Sequence, residues 1–125
     1  MSFVQHAQRT CAGTYLVALA LQFYAAGLAV FGVTTFVPHA LLGYGLVIGA
    51  ITLASLTTIA RLSPRTIRLA VALVPLSILQ PLLALLPRVA APAVSALHLV
   101  NALLIVLIAA VIARESRPVR WGIES

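Results

Sequence analysis

Residues 39–60 read HALLGYGLVIGAITLASLTTIA, a run that contains no charged side chain. About 20 such residues are enough for an α-helix to cross the ~30 Å hydrocarbon core of a bilayer. Three further runs of similar length and apolar character complete the chain: Thr14 to Val37, Ile67 to Leu86, and Pro92 to Ala113. The sequence therefore predicts four membrane-spanning helices.

The composition supports a membrane protein and excludes a water-soluble domain. Of the 125 residues, 62% are hydrophobic and 8% are charged, and the mean hydropathy is +1.13. An average soluble domain is about 45–50% apolar and about 25% charged. In a bilayer, by contrast, every face of a helix can be apolar without penalty.

Helix-breaking residues separate the four runs and keep the connections short. Pro38 lies between the first two runs, Ser63 and Pro64 lie in the second connection, and Pro87 and Pro92 bracket the third. Short connections make neighbouring helices antiparallel. We expect a single all-α domain over residues 1–125, an up-down-up-down four-helix bundle with a short basic C-terminal tail.

The arginines predict the orientation of this bundle. All eight basic residues are arginines, and the net charge is +6. Seven of them flank one side of the predicted bundle, and only Arg88 lies on the other. Positive residues favour the cytoplasmic side, so we expect both termini there, with contacts to anionic membrane lipids and no nucleic-acid partner. The first run lacks a signal-peptide cleavage region, and we expect it to be retained.

A few neutral polar residues interrupt the apolar runs. His98 and Asn101 lie in the fourth run, Gln80 in the third and Gln22 in the first. Because an unpaired polar group in hydrocarbon costs a few kcal/mol, these side chains are expected to face the interior of the bundle. Counting along the helices predicts that His39, Gln80, His98 and Asn101 lie in the outer half, and Gln22 nearer the inner leaflet.

Two of these residues suggest a cofactor site. In an antiparallel bundle the second and fourth helices are diagonal neighbours, and histidines facing each other across a diagonal can bind the iron of a haem. His39 and His98 are the candidate metal ligands, Gly43 would leave room for a porphyrin edge, and Ser95, Gln80 and Asn101 are candidates to support the imidazoles. The estimated depths of the two histidines differ by about 9 Å.

The same residues allow other interpretations. His39 can be an interfacial residue near a helix N-terminus, while His98, Gln80 and Asn101 form an interhelical hydrogen-bond cluster. A single histidine can alternatively bind the magnesium of a chlorophyll-type pigment. In a further interpretation, the chain binds no cofactor.

Several kinds of chemistry are excluded by the residues present. The only acids, Glu115 and Glu124, follow the last run, so no span carries the carboxylate of a proton-coupled pump. Neither a paired-carboxylate site nor a Ser/His/Asp site can be built, and we expect no enzyme activity. The hydroxyl-rich segment Thr52 to Ala60 is expected to bond back to its own helix.

Four short motifs carry a resemblance to known proteins: LQFYAAGLAVF (residues 21–31), PHALLGYGL (38–46), LQPLL (79–83) and LHLVNALL (97–104). They resemble an uncharacterised family of small four-span bacterial membrane proteins, and the similarity extends from about Gln8 to Arg114. The placement of the histidines is also reminiscent of four-helix b-type cytochromes. This second resemblance implies His39 and His98 as axial ligands of one haem b.

Three functional hypotheses follow for a multi-pass protein of the bacterial inner membrane. The first is a single-haem b-type electron-transfer protein. The second is an accessory subunit that packs against a larger respiratory or photosynthetic complex without its own cofactor, as the small-residue pattern Gly45 to Gly49 favours. The third is a small channel or carrier.

Overall fold

The computed structural model describes residues 2–85 and 92–116, and within these ranges every regular element is an α-helix. The helices are α1 (Phe3–Val30), α2 (Val37–Ile59), α3 (Pro64–Leu85) and α4 (Pro92–Glu115). Each is long and apolar enough to cross a membrane. The predicted all-α four-helix membrane bundle is confirmed. Arg88, Arg117 and Arg120, on which the predicted orientation also depends, lie outside the described residues.

Helix α1 is displaced along the sequence from the predicted first span. It begins at Phe3 rather than Thr14 and ends at Val30 rather than Val37. Its start is fixed by a capping box, in which the Ser2 hydroxyl accepts from the Gln5 backbone N–H and the Gln5 side chain accepts from the Ser2 N–H. Its end is fixed by Gly32, whose φ of 73° continues the chain in a left-handed conformation.

The other three helices begin and end within three residues of the predicted spans. Pro38 lies in the first turn of α2, where a missing N–H costs nothing. Helix α3 continues through Pro75 and Pro81.

The four helices form a closed ring in which each packs against its neighbours in the chain and α1 packs against α4. Helices α1 and α3 therefore lie diagonally opposite each other, as do α2 and α4. The centre is filled by apolar side chains, of which Leu53, Leu73 and Ile112 are fully buried. Large apolar side chains cover the outer surface, as a lipid environment requires.

The hydroxyl-rich end of α2 behaves as expected. Four hydroxyls donate to the carbonyl four residues earlier in the helix, namely those of Thr52, Ser55, Thr57 and Thr58. These bonds satisfy polar groups within the helix itself, and the prediction of back-bonding is confirmed.

Candidate functional site

The two intramembrane histidines meet across the α2–α4 diagonal. His39 lies in the first turn of α2 and His98 in the second turn of α4. Their ring centroids are 6.2 Å apart with an interplanar angle of 61°. The offset of about 9 Å estimated from the sequence therefore does not keep the imidazoles apart.

Gln22 of α1 contacts both nitrogens of the His39 ring. The Nδ1 atom donates to the backbone oxygen of Gln22 at 3.1 Å. A carbonyl can only accept, so the proton of neutral His39 is on Nδ1 and the lone pair is on Nε2. The side-chain Nε2 of Gln22 donates to this lone pair at 3.4 Å. Gln22 Oε1 is buried and has no hydrogen-bond partner among residues 2–85 and 92–116.

This position of Gln22 corrects the sequence-based estimate, which placed it nearer the inner leaflet. The error follows from the predicted bounds of the first span. Because α1 ends at Val30, Gln22 lies about two turns from the C-terminal end of the helix and beside the start of α2.

His98 is held in a similar way by α3. Its Nδ1 donates to the backbone oxygen of Gln80 at 3.0 Å, which again places the lone pair of the neutral ring on Nε2. The buried Asn101 binds the same stretch of α3, and its Nδ2 donates to the backbone oxygen of Leu76 at 2.9 Å and to Gln80 Oε1 at 2.7 Å. Two adjacent turns of α4 are thus tied to α3.

The remaining predicted site residues have different places. A Cβ on Gly43 would lie 3.0 Å from the side-chain Nε2 of Gln22. The space next to Gly43, expected to receive a porphyrin edge, is thus occupied by the Gln22 carboxamide. The side chain of Ser95 lies outside the described part of the structure. Phe36 makes an edge contact with the His39 ring, with centroids 6.1 Å apart.

In the tautomer that these carbonyl contacts favour, each imidazole of the cluster carries a lone pair on Nε2. Within residues 2–85 and 92–116, no group of three or more His, Cys, Asp or Glu side chains could hold a metal ion. Two imidazoles alone suit a metal whose other ligands come from a planar macrocycle.

A second polar cluster at the opposite end of the bundle was not predicted from the sequence. The fully buried Gln8 donates to Thr57 Oγ1 at 3.3 Å and to Ser116 Oγ at 2.9 Å. Nearby, buried Thr66 donates to Glu115 at 2.5 Å, and Arg65 lies 3.6 Å from the same carboxylate. The capping box at Ser2 could have indicated that Gln8 is buried, because a helix that begins there places Gln8 on the same face as Tyr15 and Leu19.

The two polar clusters are separated by an apolar layer. Tyr15 and Ser77 share a hydrogen bond of 3.0 Å across the α1–α3 diagonal. Between this pair and the Gln8 cluster, the core positions of the helices are apolar and buried: Ala12, Leu53, Ala54, Ala70, Leu73, Ala109 and Ile112. Within the described residues, this apolar layer separates the polar groups at the two ends of the bundle.

Comparisons with known proteins place the chain in a family. No curated protein and no solved structure matches it, so the resemblance to b-type cytochromes has no support from these comparisons. Residues 22–90 match a protein family; this segment includes Gln22, His39 and Gln80, and ends before His98. Since the match covers more than half of the 125 residues, the protein belongs to the family of unknown function DUF6220.

Proposed function

We propose that His39 and His98 bind a single haem b between α2 and α4, and that the protein transfers electrons within the membrane. The observation that carries the proposal is the meeting of two imidazoles from diagonal helices, each with its Nδ1 bonded to a backbone carbonyl. Metal-binding histidines commonly donate their other ring N–H to such an acceptor.

The spacing of the rings supports this ligand set. Two imidazoles that both bound one metal through nitrogens at ~2 Å would have ring centroids up to about 6 Å apart. The separation of 6.2 Å is close to this value. An edge-to-face contact between aromatic rings spans the same range, and absorption spectroscopy distinguishes ligation from packing.

A haem bound there would supply one-electron transfer, with a potential that depends on its ligands and surroundings. The protein's own residues would hold the two imidazoles in one tautomer and exclude water with the apolar layer below them. A single haem near one end of the bundle needs an electron donor or acceptor at that end, or a partner protein for a route across the membrane.

The proposed orientation follows from the described arginines. Arg9, Arg61, Arg65, Arg68 and Arg114 all lie at the end of the bundle that carries Gln8 and Glu115. Positive residues favour the cytoplasmic face. On this proposal that end faces the cytoplasm of a bacterial inner membrane, and the histidine pair lies in the outer half.

Absorption spectroscopy tests the haem proposal. The purified protein is titrated with haem in detergent, and spectra are recorded before and after reduction with dithionite. We expect a six-coordinate, low-spin spectrum for the wild type, and loss of this spectrum in His39→Ala and in His98→Ala. His6→Ala is the matched control, because the exposed His6 bonds only to the Ser2 backbone within the described structure.

Three results would contradict the proposal: no haem binding by the wild type, an unchanged spectrum in either ligand variant, or the absorption bands of a chlorophyll-type pigment in protein purified from its native membrane.

A second candidate function, an accessory subunit, is favoured by an open groove on the outer surface. The groove has a volume of about 770 Å³ and runs along the seam between α1 and α2. Gly45 lines it, and a Cβ at this position would meet no heavy atom within 4 Å. Small residues let the helix of another membrane protein approach closely.

Variants that fill the groove test this candidate. Gly45→Leu is expected to abolish co-purification of a partner complex from native membranes. Gly13→Leu is the control, because Gly13 is equally open but lies outside the groove. Co-purification of the partner with both variants, or its loss with both, would contradict an interface at this groove.

A further inference from the structure

We infer that Gln22 is a positioning residue with two functions: its backbone carbonyl orients His39, and its side-chain carboxamide covers the coordinating nitrogen of His39 until the metal binds. This inference rests on the proposed haem site. It concerns the ligand-free protein, and its first test needs no haem.

The two functions come from two different atoms of one residue. The backbone oxygen of Gln22 accepts from Nδ1 of His39 at 3.1 Å, and this contact is compatible with metal binding because it leaves Nε2 as the basic nitrogen. The side-chain Nε2 donates to that basic nitrogen at 3.4 Å and is therefore incompatible with metal binding. The carboxamide has to move away before His39 can act as a ligand.

The contact that covers His39 is weak in its present form. Its length of 3.4 Å exceeds the usual range for a hydrogen bond. In the same carboxamide, Oε1 is buried and receives no hydrogen bond within the described part of the chain, and an unsatisfied buried acceptor is unfavourable. The carboxamide is therefore held only weakly against Nε2 of His39, and a metal that binds this nitrogen displaces it at a small cost in free energy.

Gly43 provides the space that this arrangement needs. A Cβ there would lie 3.0 Å from the side-chain Nε2 of Gln22 and 4.0 Å from its Cδ. Contacts of 3.0 Å are too short for a methyl group beside an amide nitrogen, so Gly43→Ala should push the carboxamide away from His39. This variant leaves both Gln22 and His39 chemically unchanged.

The other histidine supplies a matched comparison. Gln80 resembles Gln22 in that its backbone oxygen accepts from Nδ1 of the neighbouring imidazole of His98. Its side chain differs, because Oε1 accepts from Asn101 rather than contacting a histidine ring. Replacing the Gln80 side chain should therefore leave the His39 ring nitrogens unaffected.

The test is nitrogen NMR of ¹⁵N-histidine-labelled protein in detergent without metal. The chain has three histidines, so substitution of His6 and His98 in turn assigns the signals. In the wild type we expect a protonated Nδ1 and a hydrogen-bonded Nε2 for His39. In Gln22→Ala and in Gly43→Ala we expect the Nε2 signal to shift downfield to that of a free lone pair, with Nδ1 still protonated.

The inference is overturned if the Nε2 signal of His39 is the same in wild type, Gln22→Ala and Gly43→Ala, or if Gln80→Ala shifts it as much as Gln22→Ala does. It is also overturned if the proton of His39 is on Nε2 in the wild type. Far-UV circular dichroism confirms that each variant keeps its helices, and the two independent variants guard against a folding defect in one of them.

Haem titration then connects this contact with the proposed function. Since the competing hydrogen bond is removed, we expect Gln22→Ala to bind haem about two- to tenfold more tightly than the wild type. Equal or weaker binding by Gln22→Ala would contradict the competition. If no variant binds haem but the Nε2 shift is present, the haem proposal fails and the Gln22–His39 contact is upheld.

Discussion

The hydrogen bond between Tyr15 and Ser77 gives the sharpest test of the helix arrangement. The two oxygens are 3.0 Å apart across the α1–α3 diagonal, and both side chains are buried. Tyr15→Phe removes the hydroxyl but keeps the ring that packs against Gly49. Hydrogen bonds between membrane helices contribute ~0.6 kcal/mol on average and at most ~1.7 kcal/mol.

We expect Tyr15→Phe to lower the free energy of unfolding by about 0.5–1.5 kcal/mol. The lower part of this range is favoured because the Ser77 hydroxyl can turn to the carbonyl one turn earlier in α3. In a double-mutant cycle with Ser77→Ala, the coupling energy should be about 0.6 kcal/mol.

The chain contains its own reporter for this measurement. Cys11 is the single cysteine, is partly buried, and packs against the core. Its rate of reaction with a thiol reagent, measured in mixed micelles of increasing SDS content, reports the opening of the bundle. Tyr24→Phe and Tyr44→Phe are matched controls, because these tyrosines are 65% and 52% exposed on the outer surface. A coupling energy of zero, or an equal loss in the controls, would refute the diagonal contact.

Five further substitutions, two of them controls, test other parts of the bundle in the same assay. Gly49→Ala should lower the free energy of unfolding by about 1–3 kcal/mol, because the added Cβ would lie 3.1 Å from the buried ring of Tyr15. Gly45→Ala should have little effect, because its added Cβ would meet no heavy atom within 4 Å. Equal losses of stability in the two variants would contradict this packing. Thr66→Val should lower the free energy of unfolding by about 1–3 kcal/mol, because it removes the donor to the carboxylate of Glu115 at the end of α4. Arg65→Gln should lower it by less than about 1 kcal/mol, because the Arg65 side chain is 70% exposed. A larger loss in Arg65→Gln than in Thr66→Val would contradict this account. Asn101→Leu should cost about 1–3 kcal/mol because two bonds to α3 are lost, and an unchanged stability would show that these bonds do not form.

The sequence predicts the number and nature of the helices well. Runs of apolar residues identify the four spans, since only a helix satisfies its backbone in lipid. Helical spacing correctly puts Asn101 on the interior face of α4.

The bounds of α1 show where sequence reasoning fails. The polar residues Gln5, His6 and Gln8 lower the local hydropathy, so the apolar run begins later in the sequence than the helix does. The capping box, which depends on hydrogen bonds rather than on hydropathy, determines the actual start. Because α1 ends at Val30 rather than Val37, Gln22 lies beside His39, and the sequence did not predict this position.

The side-chain contacts of the candidate site could not be read from the sequence. Which nitrogen of His39 is protonated depends on a backbone carbonyl in another helix. The space beside Gly43 is occupied by a side chain 21 positions earlier. Such contacts depend on the relative rotation of packed helices, and hydropathy and periodicity do not determine this rotation.

The convergence of His39 and His98 is tested most directly by nuclear Overhauser effects in the metal-free protein. Phe36 and His39 provide an internal standard, because their ring centroids are 6.1 Å apart and those of the two histidines are 6.2 Å apart. We expect cross-peaks between the ring protons of His39 and His98 with an intensity similar to those between Phe36 and His39. Cross-peaks for the Phe36–His39 pair without any for the histidine pair would contradict the site.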